Sequence, residues 1–343
     1  MRIYLCIFIL FLKTASIFGA AIDSLHAEPD NKFLILPFGF YTNETSLALG
    51  VFSQYKTENN FNIFGNAFYT FKNQFMFFAI TDFNSENIYV YNTFKTKDYY
   101  SDFYGFGNES QQDNPADYRY FQIDNYFEAG KKTGQKTFIS AAVNNFYHIP
   151  KDRKELFGYD REKYDHLANG IGFSIKYYDV SDKFFRDGIS IRSSFLFYPE
   201  FLGSWEQFSV FDSEAVFFTS FNQSALNTLV SGRFTFGEVH PEKLSFIGGS
   251  RILRGYPEMR FIDKNQIAVQ TQYDFRLYKS ISACLFIGTG DVFGEFSDLS
   301  VRNIKTAYGA GLIYEYRNLI MRVEAATSPE KNFEIIITGN RAF

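Results

Sequence analysis

Ile267-Ala268-Val269-Gln270-Thr271-Gln272-Tyr273-Asp274-Phe275-Arg276-Leu277 alternates without a break. Successive side chains of an extended chain point to opposite sides. One face therefore collects Ile267, Val269, Thr271, Tyr273, Phe275 and Leu277, and the other Ala268, Gln270, Gln272, Asp274 and Arg276. The second face carries amides, an acid and a base that need water or partners, while the first suits lipid. A strand of a soluble sandwich alternates in the same way, so the surroundings of this stretch must choose. The period recurs at Ile171/Phe173/Ile175/Tyr177 around Ser174 and Lys176, and at Ile189/Ile191/Ser193/Phe195/Phe197 around Arg192 and Ser194. It recurs again at Leu226/Thr228/Val230/Phe234/Phe236 around Asn227 and Arg233, and at Leu319/Met321/Val323/Ala325 around Arg322 and Glu324. Charges thus fall repeatedly in mid-strand, opposite the apolar face.

The whole chain agrees with strands rather than helices. Of 343 residues, 44 are Phe and 24 Tyr, an aromatic content of 20% beside 21% charged residues. Beyond the N-terminus no apolar run reaches the roughly 18 residues that a membrane helix needs, which excludes a polytopic helical protein. The two cysteines and four histidines supply little for a disulfide framework or a metal site. His26, His148, His166 and His240 are scattered along the sequence and are expected to be ordinary loop residues. No cofactor, no metal and no enzymatic activity are expected.

The N-terminus predicts export. Arg2 precedes the almost wholly apolar stretch Ile3 to Leu12, Lys13 interrupts it, and Gly19-Ala20-Ala21 offers small residues to a signal peptidase. Residues 1–21 are expected to be a cleaved signal peptide and 22–32 a short periplasmic N-terminus, with a transmembrane β-barrel over 33–343. Cleavage removes Cys6 and leaves Cys284 alone, so no internal disulfide forms. It also removes two bases and no acid, making the formal charge of −4 more negative and giving no support for nucleic-acid binding.

Strands are predicted over 33–41, 44–56, 61–71, 75–84, 87–97, 118–130, 135–148, 168–179, 188–198, 207–220, 225–237, 265–277, 281–290, 304–316, 319–327 and 332–343. Sixteen is an even number, as single-chain bacterial barrels require. With both termini in the periplasm, the long connections 98–117, 149–167, 238–264 and 291–303 all face outward. Parity keeps 33–41 as a strand despite Pro37, whose missing N–H suits an edge or seam. The ending chooses the membrane: Phe333, Ile335 and Ile337 alternate toward Gly339 and a terminal Phe343. This resembles the last strand of many outer-membrane barrel proteins, whose terminal Phe is read by the barrel assembly machinery. Arg341 departs from that pattern and is placed to snorkel to the interface.

Gly248-Gly249-Ser250-Arg251-Ile252-Leu253-Arg254-Gly255-Tyr256, in the connection before the twelfth strand, resembles the sixth-loop motif of the BamA/TamA-like surface-antigen superfamily. Asn265-Gln266-Ile267-Ala268-Val269 and Phe286-Ile287-Gly288-Thr289-Gly290-Asp291-Val292-Phe293 resemble the family's next strands. Tyr177-Tyr178-Asp179-Val180-Ser181-Asp182 resembles its inner turn, while Tyr69-Thr70-Phe71-Lys72-Asn73-Gln74 and Tyr104-Gly105-Phe106-Gly107-Asn108 look like barrel-only members. The resemblance spans roughly 33–343 and is most specific over 246–293.

It implies that the loop carrying Gly248, Gly249, Arg254, Gly255 and Tyr256 folds back into the barrel. It also implies that the arginine pairs with an aspartate on the thirteenth strand. Gly288 occupies that position here, so Asp291, Asp274 and Glu324 are the candidate partners of Arg254. Only some ten residues separate the signal from the first strand, so no POTRA module is expected, and the protein must either borrow a receiving partner or do something else. The implied activity is insertion or translocation of protein, or of lipid, at the bacterial outer membrane. The implied partners are membrane lipid, the assembly machinery, and an unidentified client or periplasmic protein. A passive or gated pore and a surface-exposed binding protein are the competing classes. The resemblance further implies a loosened seam between first and last strands, where Pro37, Gly39 and Gly339 weaken pairing.

Overall fold

The computed structural model describes residues 31–42, 46–57, 61–110, 115–152, 166–181, 185–316, 319–330, 333–338 and 342. The wall is one sheet of sixteen antiparallel strands, each paired with its neighbour in chain order. Its first half is β1 (Asn31–Thr42), β2 (Ser46–Thr57), β3 (Phe61–Thr70), β4 (Phe75–Asn84), β5 (Ile88–Phe103), β6 (Ala116–Thr133), β7 (Thr137–Pro150) and β8 (His166–Val180). The chain continues through β9 (Gly188–Tyr198), β10 (Phe208–Phe221) and β11 (Ser224–Gly237). A separate two-stranded ribbon, β12 (Ser245–Ile247) and β13 (Phe261–Asp263), follows inside the longest connection. The wall resumes with β14 (Asn265–Tyr278), β15 (Ile281–Phe293), β16 (Lys305–Tyr316), β17 (Leu319–Thr327) and β18 (Phe333–Thr338).

Period two becomes two chemically different faces. On β14, Val269 and Tyr273 are each 41% exposed on the outside, while Gln270 and Gln272 are each 2% exposed on the inside. Outward-facing Ile171, Phe173 and Ile175 on β8 and Leu285 and Ile287 on β15 extend the apolar band. A band this continuous has no counterpart on a water-facing surface. Inside, mid-strand charges meet one another: Glu128 on β6 contacts Lys176 on β8 and accepts from Ser174 Oγ at 2.6 Å and Tyr126 Oη at 2.8 Å. A carboxylate removed from water needs such donors.

The two rims are unequal. One carries turns ranging from 222–223 to 181–187; the other carries the short connections 43–45, 71–74 and 328–332 together with the longer 104–115, 151–165, 199–207, 238–264 and 294–304. The strand count and its order match the sequence expectation, but several boundaries are corrected. β5 runs to Phe103 and β6 starts at Ala116, so residues 98–103 and 116–117 of the expected loop 98–117 are paired strand. β15 runs to Phe293 and takes three residues from the expected loop 291–303. Most of the signal and N-terminal segments, 153–165, and Gly339, Asn340, Arg341 and Phe343 lie outside the described residues.

β1 pairs with β2 along its full length, with Pro37 opposite Val51 and Gly39 opposite Leu49. Among the described residues no ladder joins β1 to β18, the two ends of the strand order.

Pairing every strand with its neighbours satisfies the backbone groups that lipid cannot. Purified protein in mild detergent is therefore expected to be strand-rich by circular dichroism and to migrate faster before boiling than after. A helix-dominated spectrum, or identical mobilities, would contradict this fold.

Candidate functional site

The 238–264 connection turns into the barrel, and its glycines explain how. Gly248, Gly249 and Gly255 all have φ above +100°, a region that L side chains rarely adopt. A Cβ on Gly248 would lie 2.1 Å from Pro257 O, and one on Gly255 would lie 2.8 Å from Thr327 O on the wall. Gly248 N donates to Ile252 O and Gly249 N to Tyr256 O, closing a compact turn above the β12–β13 ribbon. Ile247, Leu253, Tyr256 and Phe261 from the loop pack with Val292 and Ala307 from β15 and β16.

Arg254 stands at the tip, fully buried. Its Nη1 donates to Glu324 Oε1 on β17 at 2.6 Å, its Nη2 to Gln272 Oε1 on β14 at 2.7 Å, and its backbone N to Gln270 Oε1 at 3.3 Å. The guanidinium lies 3.8 Å from the Phe286 ring centroid, a cation–π contact that a desolvated site strengthens. Arg322 Nη1 donates to the same Glu324 oxygen at 3.1 Å and its Nε to Thr338 Oγ1 on β18 at 3.0 Å. One carboxylate thus serves two arginines.

Of the three acids the sequence offered, the structure brings Glu324 to Arg254. Asp274 sits one step behind, accepting from Gln272 Nε2 at 2.6 Å and Asn227 Nδ2 at 2.7 Å. Asp291 is elsewhere, bonded to Asn108 Nδ2. At Gly288, a Cβ would lie 3.1 Å from Gln270 Oε1 and 3.4 Å from Leu253 Cδ1. The space that a carboxylate at this position of β15 would take is therefore filled by the loop and its amide support.

A second outer connection fastens the first. Gly107 N donates to Ile262 O at 2.7 Å, Asn108 Nδ2 to Val292 O at 2.8 Å, and Arg260 Nη1 to Ser110 Oγ at 2.7 Å. Beside the loop, a cavity of about 340 Å³ is lined by Arg192, Arg233, Lys243 and Arg251 among others. Arg251 pairs with Glu214, Arg233 lies 3.1 Å from Asp212, and Lys243 Nζ donates to Asn144 at 2.7 Å. The positive charge of this cavity is mostly compensated, which removes any case for an anion site.

Two of the histidines correct the sequence reading, which took all four as scattered, ordinary loop residues: His148 and His166 lie in wall strands. His148 ends β7, His166 opens β8, and the two are direct ladder partners. The loop returns His240 onto His166, ring centroids 3.8 Å apart, and sets Glu242 Oε1 3.1 Å from His166 Nδ1 and 3.5 Å from His148 Nε2. Burial, followed by the neighbouring His166, lowers His240 to about 4, against the opposing pull of Glu242. The signal in the sequence was the spacing His240-Pro241-Glu242 together with a strand pairing that aligns 148 with 166.

No protein-family model and no curated protein matches the chain in sequence. Among solved structures it is similar to BamA from Haemophilus ducreyi lacking POTRA domains 1-3, with TM-score 0.62 and 11% identity over 90% of this chain and 68% of that one. It is also similar to CdiB from Escherichia coli, with TM-score 0.61 and 11% identity over 91% of this chain and 62% of that one. CdiB from Acinetobacter baumannii gives TM-score 0.57 and 9% identity over 88% and 58%. The chain spans less than two thirds of either CdiB. At such identities the likeness is one of fold: an all-β sheet of sixteen antiparallel strands matching outer-membrane β-barrels, with its apolar band against lipid.

Proposed function

We propose that this protein inserts or translocates protein, or lipid, at the bacterial outer membrane, in the manner its resemblance to BamA/TamA-like barrels implies. The observation that carries this reading is the lumenal loop. A passive channel gains nothing from filling its own lumen with a connection anchored by a buried, doubly bridged carboxylate, whereas a wall that must open needs something to hold its interior in register while strands part. The strand order adds support, since β1 and β18 end the sheet with Pro37 and Gly39 on one side. On this reading a separate periplasmic partner delivers the client, and the alternating Phe333, Ile335 and Ile337 of β18 belong to the segment that the barrel assembly machinery recognises.

The test is reconstitution in liposomes. Added beside a urea-denatured client barrel, the protein is expected to raise the rate at which the client becomes protease-resistant by at least tenfold over empty liposomes, with little steady ionic conductance. Conductance without accelerated client folding would replace this reading with that of a pore.

A further inference from the structure

The lumenal loop enters the barrel past His148, His166, His240 and Glu242, a cluster that the proposed activity does not use. His148 and His166 face each other across β7 and β8 on the inner surface, both only 1% exposed. His240 and Glu242, two residues apart, come down on them from the 3-10 turn at Pro241–Lys243. One donor atom each from His166, His240 and Glu242 lies within 4.8 Å of the others. Among the described residues, Glu242 Oε2 and both ring nitrogens of His148 are buried without completing a hydrogen bond. A buried carboxylate oxygen and imidazole left this way cost stability, and a cation between them would reverse the cost.

The donor set selects the ion. Imidazole nitrogens with one carboxylate suit first-row divalent transition metals, zinc above all, and are poor ligands for calcium or magnesium. Zinc bonds of about 2.0–2.1 Å place tetrahedral donors roughly 3.3 Å apart, so donors now within 4.8 Å of one another must draw closer, and the stacked His166 and His240 rings must turn toward a common point. His148 Nε2, 3.5 Å from the Glu242 oxygen, stands where a fourth ligand would. Glu206 Oε2 lies 3.8 Å from His240 Nε2 and is available to orient that ring from behind.

We propose that His166, His240 and Glu242, with His148 as fourth donor, bind one zinc-like divalent ion that fastens the first part of the lumenal loop to β7 and β8. This anchor would be separate from the one at Arg254, which holds the tip of the same loop to β14 and β17. Metal availability would then set how firmly the loop is held.

The probe is zinc itself, titrated calorimetrically into the full-length mature protein in detergent after chelator treatment. One ion per chain is expected, with cobalt giving a tetrahedral absorption band at the same stoichiometry. Zinc should also slow tryptic cleavage after Arg251 at least tenfold, and chelator should restore it. His240→Ala and the near-isosteric Glu242→Gln should each weaken zinc binding tenfold or more while keeping the heat-dependent mobility of the barrel. His26→Ala should bind as the parent does. Absence of stoichiometric binding to the parent would overturn the proposal, and so would equal binding by a folded His166→Ala/His240→Ala protein.

Discussion

Glu324→Gln is expected to make trypsin cut the 238–264 loop roughly a hundredfold faster, in a barrel that still shows its unboiled mobility. In the parent, one Glu324 oxygen accepts from Arg254 at 2.6 Å and from Arg322 at 3.1 Å, and all three side chains are buried. An amide would leave two guanidinium groups facing one another with no countercharge between them. Removing one partner of a buried ion pair costs on the order of 3–5 kcal/mol, and each 1.4 kcal/mol is about tenfold in an opening equilibrium. Arg254→Ala should do less, about tenfold, because Glu324 keeps Arg322. The double variant should resemble Arg254→Ala alone, since the second change then removes a charge that Arg254 no longer shares. Asp274→Asn should shift cleavage only slightly, because Gln272 stands between it and the arginine. Strict additivity, or cleavage of Glu324→Gln at the parent rate, would mean that Leu253 and Tyr256 hold the loop by packing alone.

The seam carries the other large effect. Cysteine pairs scanned across 33–41 and 332–343, in a Cys284→Ser background, are expected to cross-link at matched positions without preventing barrel formation. Locking should lower assisted client insertion at least tenfold, and reduction should restore it. One feature of β1 favours a weak edge here: Pro37 offers no N–H to a ladder. Full client insertion by the locked protein would end the lateral-opening mechanism while leaving the fold untouched.

How far the sequence carried can be judged from particular residues. Ile267 to Leu277 gave both faces of β14 correctly, because lipid and lumen impose opposite demands on neighbouring side chains. The end of β5 was misplaced because Asp98-Tyr99-Tyr100-Ser101-Asp102-Phe103 is polar and aromatic, a composition shared by loops and by hairpins that project past the bilayer. The loop motif was legible, but the partner of Arg254 was not. Choosing among Asp274, Asp291 and Glu324 requires knowing how strands stagger around the wall, and alternation within one strand carries no information on stagger. The histidine cluster was invisible for a related reason: its members come from two wall strands and a loop that reaches back across the lumen.

The buried carboxylate also has a temporal meaning. Glu324 lies 70 residues beyond Arg254, on the next-to-last strand of the wall, and Asp291 lies 183 residues beyond its partner Asn108. Contacts so distant in sequence form late. Until β17 arrives, Arg254 lacks the carboxylate to which its Nη1 donates, and the loop settles without its strongest charge pair in a closing interior. The order of events is therefore written into the charge pattern: the loop waits at the mouth while the sheet grows, and is captured only when the wall is one strand from complete. A chain truncated before Glu324 would then build most of its sheet and still fail to seat its interior, giving any quality-control protease an exposed 238–264 segment as the mark of an unfinished barrel.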